Sequence, residues 1–217
     1  MELIIGNKNY SSWSLRGWLM LKAFELPFEE TQLSLFSTAF YQRLSDLNTA
    51  NKVPVLVDGE NRIWDSLAIC EYVNETKLDG RGWPADTQLR AEARSVACEM
   101  HSGFSGLRNE MPMNCRARRQ VELSAEAQKD IQRIDQLWSE LTGRCAEDGP
   151  WLFGTYSIAD VMFAPVVLRF VTYGVEVSEA SQRYMESVLS HPALKAWLEE
   201  ALKETEIVEE DEAGVPI

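Results

Sequence analysis

The sequence predicts two domains, a mixed α+β unit followed by an all-α one, and three observations carry that reading. Over residues 1–80 the hydrophobic period switches repeatedly between that of strands and that of helices. A stretch punctuated by Gly80, Gly82 and Pro84, "LDGRGWPADT", then interrupts the pattern as a linker would. Beyond it, apolar residues recur at helical spacing only.

Each element follows from its own residues. "ELIIG" is a short apolar strand candidate, and Trp13 to Glu25 fits a helix with Leu15, Trp18, Leu19 and Leu21 across a broad inner face. "PFEETQLSL" reads as extended, with Phe28, Glu30 and Gln32 alternating like an edge strand. In "VPVLVDGENRIWD" the Asp58-Gly59 pair, lying between "PVLV" and "RIW", is a hairpin signal. "SLAICEYVNE" closes this half as a helix. The order β-α-β-α-β-β-α predicts a mixed sheet with helices packed on it.

In the second half, Leu89, Ala93, Val96, Met100, Phe104 and Leu107 fall on one helix face, as do Ala127, Ile131, Ile134, Trp138 and Leu141. Such stripes predict core. "TYSIADVMFAPVVLRF" places Ser157 three residues before Asp160, the spacing of a capping box, with Tyr156 and Val161 at the staple positions. "SHPALKAWLEEAL" supplies a last helix, with Pro192 acceptable in its first turn. The predicted domains are therefore 1–80 and 88–205. Glu204, Glu206, Glu209, Glu210, Asp211 and Glu212 crowd the C-terminus, and 206–217 is expected to be a solvated, flexible tail.

Composition narrows the function classes. With 45% apolar and 25% charged residues the chain should fold as a globular protein. A net charge of -13 argues against nucleic acid or an anionic membrane surface as partner, since both need a basic footprint. No apolar run reaches transmembrane length and the N-terminus opens on a strand, so a cytoplasmic location is expected. Cys70, Cys98, Cys115 and Cys145 form no C-x-x-C pair, and neither His101 nor His191 has metal-ligand spacing. Buried free thiols and no metal are the expectation.

Three short motifs carry the chemistry. Ser11 and Ser12 stand between a strand and a helix, where unpaired amides and the macrodipole favour an anion, so a hydroxyl there can help hold a thiolate. An ordinary helix cap explains the same serines. Val53-Pro54 opens a strand, and a cis bond there would turn the Val53 amide and carbonyl outward to pair with an extended peptide. Asp65 and Ser66 open a helix, the serine and nearby N–H groups suited to a carboxylate and the aspartate to an ammonium.

Taken together, "YSSWSLR", "KVPVL", "DSLAICEYV", "YSIAD" and "SHPALKAWLEEAL" make the chain resemble the cytosolic glutathione transferase family over nearly its whole length, serine-type and closest to zeta-like bacterial members. The resemblance implies a thioredoxin-like N-terminal domain that holds glutathione, an all-α C-terminal domain that completes a pocket for a small electrophile, and a homodimer. It implies that Val53 and Pro54 present backbone to the cysteinyl unit, that Asp65 and Ser66 hold the γ-glutamyl end, that Lys52 reaches the glycine carboxylate, and that Ser11 or Ser12 contacts the sulfur. Spacing to Arg16 within the family favours Ser11, and Arg16 reads as structural.

Tyr10, Trp13, Met100, His101, Phe104 and Arg108 are candidates for the electrophile pocket, although Phe104 fits core equally. Arg108, Arg116, Arg118 and Arg119 concentrate positive charge that would favour anionic substrates or simply solvate a helix end. Zeta enzymes isomerise maleylacetoacetate and carry a cysteine after the serine pair. This chain has Trp13 there, which sets conjugation ahead of isomerisation. A glutathione-binding dimeric protein without turnover is the remaining alternative.

Overall fold

In the computed structural model, which describes residues 1–217, the first strand organises the N-terminal half. β1 (Glu2–Ile5) pairs parallel with β2 (Glu29–Gln32) and antiparallel with β3 (Val55–Asp58), which pairs antiparallel with β4 (Asn61–Trp64). The sheet order is β2-β1-β3-β4. Gly59, at φ 61, makes the β3–β4 turn that the Asp-Gly pair predicts. Helices α1 (Ser12–Ala23), α2 (Thr38–Asp46) and α3 (Ser66–Lys77) complete a thioredoxin-like domain in the predicted order.

The alternation of β1 sorts its side chains into two cores. Leu3 and Ile5 enter the main core with Leu15, Leu19, Ile69 and Val73, whereas Ile4 faces Phe40, Leu44 and Val55 beneath α2. Burying one such aliphatic side chain contributes about 1.5–3 kcal/mol.

The rest is helical: α4 (Thr87–Ser102), α5 (Ser105–Glu110), α6 (Ala125–Arg144), α7 (Ile158–Tyr173), α8 (Glu179–Ser190) and α9 (Pro192–Ala201). α7 is buried along nearly its whole length, which is why its sequence lacks a polar face. Trp138 of α6 packs on Phe163 and Phe170 of α7 and on Tyr184 of α8, with ring centroids 5.8, 5.3 and 5.0 Å away. At the start of α7 the Ser157 N–H and hydroxyl both donate to the Asp160 carboxylate, at 2.9 and 3.0 Å. No helix is long and apolar enough to cross a membrane.

Three expectations are corrected. The stripe from Leu89 to Leu107 is two helices, because Gly103 ends α4 and Phe104 takes a left-handed conformation (φ 55) before α5. Cys98 is exposed, while Cys70, Cys115 and Cys145 are buried. The acidic C-terminus is not a free solvated tail. The Glu204 carboxylate accepts the Lys8 and Asn9 N–H groups at 2.7 and 2.8 Å, and Arg119 donates to the Glu212 carboxylate at 2.6 Å. β6 (Val215–Pro216) then pairs antiparallel with β5 (Arg119–Gln120). These acidic side chains meet buried donors, so their charge is spent inside the chain rather than on water.

Lys8 makes a buried contact among those that join the halves. Lys8, 5% exposed, places its ammonium 2.7 Å from Glu30 and 5.6 Å from the ring centroids of both Trp18 and Trp197, while its carbonyl accepts the Trp197 indole N–H at 3.0 Å.

Candidate active site

The turn between β1 and α1 holds its serines by hydrogen bonds within the chain. Ser11, not Ser12, is the N-cap of α1: its hydroxyl accepts the Ser14 N–H at 3.4 Å and donates to the Ser14 hydroxyl at 2.7 Å. Ser14 in turn accepts the Gly6 N–H at 3.0 Å. Ser12 is the first helical residue, and its hydroxyl accepts from Arg169 of α7 at 3.2 Å. Both serines line a cavity of about 620 Å³ between the two domains.

A second cavity of about 560 Å³ adjoins it, lined by Trp13, Lys52, Val53, Pro54, Asp65, Ser66, His101 and Arg108 among others. The Val53-Pro54 bond is cis, and Val53 lies outside the ladder, since β3 begins at Val55. Neither its N–H nor its C=O has a partner within the chain. Pro54 is pressed on α1 where Gly17 removes a side chain; a Cβ at Gly17 would lie 3.1 Å from the proline ring. This close approach fixes the cleft edge against the helix that carries the serines.

Asp65 caps α3 with one oxygen, accepting from Leu67 and Ala68 N–H at 2.9 and 3.2 Å. The other oxygen lies 3.1 Å from His101 Nε2. Asp65 sits at φ 74, a region that costs a non-glycine residue of order 1–3 kcal/mol and that turns its carboxylate toward the cleft. Ser66 is 1% exposed, and its hydroxyl has no partner, nor does His101 Nδ1. Buried polar atoms are normally satisfied, and these two lie on the wall of the same cavity. Lys52 lines both cavities and forms no ion pair.

The electrophile side departs from the sequence reading. Tyr10, Trp13, His101 and Arg108 do line the cavities, with Arg16 and Arg108 on the Trp13 ring at 4.4 and 5.3 Å and His101 edge-on at 5.4 Å. Met100 and Phe104 do not. Met100 is fully buried on the inner face of α4, and the left-handed turn at Phe104 sends its ring onto Phe163, 6.4 Å away. Of the arginine cluster, Arg116 and Arg119 bind the C-terminal segment and are not free for substrate.

The sequence reading missed Arg169 and Asp211, which both line the larger cavity. An arginine inside the apolar run "VVLRF" was the available signal, because a charge in a buried helix needs partners. Burial pushes the Arg169 guanidinium down to about 10 and that of Arg16 to about 9, the latter also by repulsion from Arg169 and Arg108. Both remain protonated at neutral pH. Arg16 donates through Nε to the Met162 carbonyl at 2.9 Å and braces α1 on α7.

A mixed-sheet thioredoxin-like domain followed by an all-α domain is the architecture of glutathione-dependent enzymes, and known proteins match both halves. Residues 10–76 match the N-terminal domain of glutathione S-transferase and residues 124–200 match its C-terminal domain. The chain belongs to the glutathione S-transferase family and is an enzyme of that family. It is 30% identical over 179 residues to the maleylacetoacetate isomerase of Rattus norvegicus, covering 77% of this chain and 76% of the rat protein. Among solved structures it is similar to a Burkholderia glutathione transferase homologue with bound glutathione, at TM-score 0.70 and 25% identity over 92% of this chain and 96% of that one. A bacterial zeta-class maleylpyruvate isomerase shares the fold at TM-score 0.71 and 20% identity, over 95% of this chain and all of the other (100%).

Proposed function

We propose that the chain binds glutathione along Val53, Asp65 and Ser66, activates its thiol through Ser11, and joins the sulfur to a small electrophile. The observation that carries this reading is a row of groups on one cleft wall: the Val53 backbone and the buried Ser66 hydroxyl, neither of which has a partner in the chain, and the second oxygen of Asp65, which meets only His101 Nε2. An extended γ-glutamyl tripeptide supplies a complement to each, backbone to Val53, carboxylate to Ser66 and ammonium to Asp65. The unpaired Lys52 ammonium suits its glycine carboxylate.

The catalytic task is ionisation of the thiol. A thiol of pKa near 8.5 is only about 3% thiolate at pH 7, and lowering that value by roughly two units needs about 2.7 kcal/mol of preferential stabilisation of the anion. When the Ser14 hydroxyl rotates to donate to Ser11, the chain Gly6 N–H to Ser14 to Ser11 points its last proton at the sulfur. A hydrogen bond to a charged group contributes about 1.5–3 kcal/mol, which is the size required. The serine donates and the thiol proton leaves to solvent; the sulfur is the nucleophile, its lone pair forms the carbon–sulfur bond, and the leaving group departs with its electron pair.

Glutathione-dependent isomerisation is a second reading, favoured by the activity in the rat relative's name. Trp13 weighs against it by filling the place between Arg16 and Arg108. Family likeness also supports a homodimer in the cytoplasm, which sedimentation and fractionation would check.

The test is a calorimetric titration with glutathione, ultraviolet detection of the thiolate, and a panel of aryl halides, hydroperoxides, enals and a maleyl isomerase substrate. We expect binding, a thiolate signal at neutral pH that Ser11→Ala abolishes, and conjugation in excess of isomerisation. Absence of heat at millimolar glutathione removes the reading. Binding without a thiolate signal or turnover leaves a non-catalytic binding protein.

A further inference from the structure

The larger cavity has one acidic wall residue, and it comes from the far end of the chain. Asp211 lies in the single 3-10 turn Glu209–Asp211 of the C-terminal segment. That segment is held in fixed register: Glu204 on the Lys8 and Asn9 amides, Arg116 on the Glu204 and Glu206 carbonyls, Arg119 on the Glu212 carboxylate, and β6 on β5. Tyr10, next to Ser11, donates to Glu212 and accepts from Arg116 at 3.1 Å. The strap is therefore built into the site rather than draped near it.

Its effect is to bring a carboxylate to the same cavity as two guanidinium groups. Arg169 is 5% exposed and contacts the Ser12 hydroxyl, yet its Nε has no partner. The Asp211 side chain makes neither a hydrogen bond nor an ion pair with the protein. The Asp211 carboxylate is thus uncommitted within the cavity, and Arg169, held by the Arg108 and Met111 carbonyls, contributes its positive charge to the same lining.

We propose that Asp211 is a specificity-determining residue for the second substrate, lowering the preference of the arginine-lined cavity for carboxylate-bearing electrophiles relative to uncharged ones of the same shape. The inference rests on the transferase reading above. A substrate carboxylate drawn to Arg169 and Arg108 meets the Asp211 charge in the same cavity, whereas an uncharged isostere does not. Arg169 and Tyr173 face Asp211 from α7, Arg108 and Tyr10 share its cavity, Lys52 lies across it, and Glu210 and Glu212 flank it on its own segment. Burial raises the Asp211 carboxyl to about 6, so its charge is lost as pH falls through that value.

The experiment uses the full chain with a matched pair, a chloronitrobenzoate and the corresponding chloronitrobenzamide. The ratio of their kcat/KM values is read in wild type, Asp211→Asn and Asp211→Glu, on both sides of pH 6. Because both probes need the same thiolate, its ionisation cancels in the ratio. Asp211→Asn should raise the benzoate-to-benzamide ratio roughly five-fold at neutral pH, as expected for removing one charge several ångströms from another. Asp211→Glu should stay near wild type. The wild-type ratio should climb as pH falls through about 6, and the Asn variant should lose that step. Binding of the two finished conjugates, measured by calorimetry, should give the same pattern without turnover. An Asn variant with the wild-type ratio and melting temperature overturns the role of Asp211 and leaves the transferase reading standing. A wild-type protein that binds neither glutathione nor either conjugate overturns both.

Discussion

The two walls of the cleft are built in opposite ways. On one wall Val53, Pro54, Asp65 and Ser66 come from a single hairpin and the helix that follows it, and each is placed by local backbone geometry: a strand start, a helix cap, a turn. On the other, Arg108, Arg169 and Asp211 come from α5, α7 and the C-terminal strap. The first wall displays unsatisfied backbone and hydroxyl groups, the second displays charge. On the proposed reading, recognition of the constant ligand is written locally, while selection among variable ligands is left to side chains that meet only once the chain has folded.

The largest effect that would break this division is expected at the serines. Ser11→Ala should lower kcat/KM by about a hundredfold, as loss of one donor to a developing anion does, with the thiolate signal lost and glutathione affinity nearly kept. Ser12→Ala should cost less than about tenfold, because Ser12 serves the charged wall through Arg169. A reversed order would move the sulfur to Ser12 and shift the boundary between the walls by one residue.

Next in size is Asp65. Asp65→Asn keeps an acceptor for the Leu67 and Ala68 N–H groups but loses the charge, so glutathione affinity should fall about tenfold while the melting temperature holds. Asp65→Ala should lose the affinity and, in addition, about 1 kcal/mol of stability. Equal melting temperatures for the two variants would show that the cap contributes nothing. Calorimetry and thermal unfolding read both quantities.

Trp13 stands where the walls meet, and Trp13→Cys sharpens the comparison from the other side. Removing the indole that stacks on Arg16 and Arg108 should raise isomerisation relative to conjugation a few-fold, since it opens room beside both guanidiniums. A fall in that ratio would place isomerase chemistry elsewhere. The smallest effect on activity should come from Ser157→Ala, which weakens the start of α7. It should lower unfolding free energy by about 0.5–2 kcal/mol in denaturant titrations and leave kcat/KM unchanged for every electrophile.

How much could be read from the sequence follows the same line. The Asp58-Gly59 turn, the Ser157–Asp160 box and the motifs at Ser11, Val53-Pro54 and Asp65 are short-range, and each constrains its own backbone within a few residues. The end of α4 was not legible, because Phe104 continues the apolar spacing while its backbone turns left-handed after Gly103. Nor was the fate of the acidic C-terminus, whose composition is that of a solvated tail. Its partners Lys8, Asn9, Arg116 and Arg119 lie some 90 to 200 residues away in the chain, so no local pattern announces them. Arg169 joined Ser12 across 157 positions for the same reason.

Lys8 carries one more consequence. Gripped between an indole from each half and tied to Glu30, it acts as a rivet through the seam beside the turn that carries Ser11. A pin at that point ties the seam beside the Ser11 turn to both halves at once, so loss of the Lys8 ammonium would loosen the turn and the domain junction together.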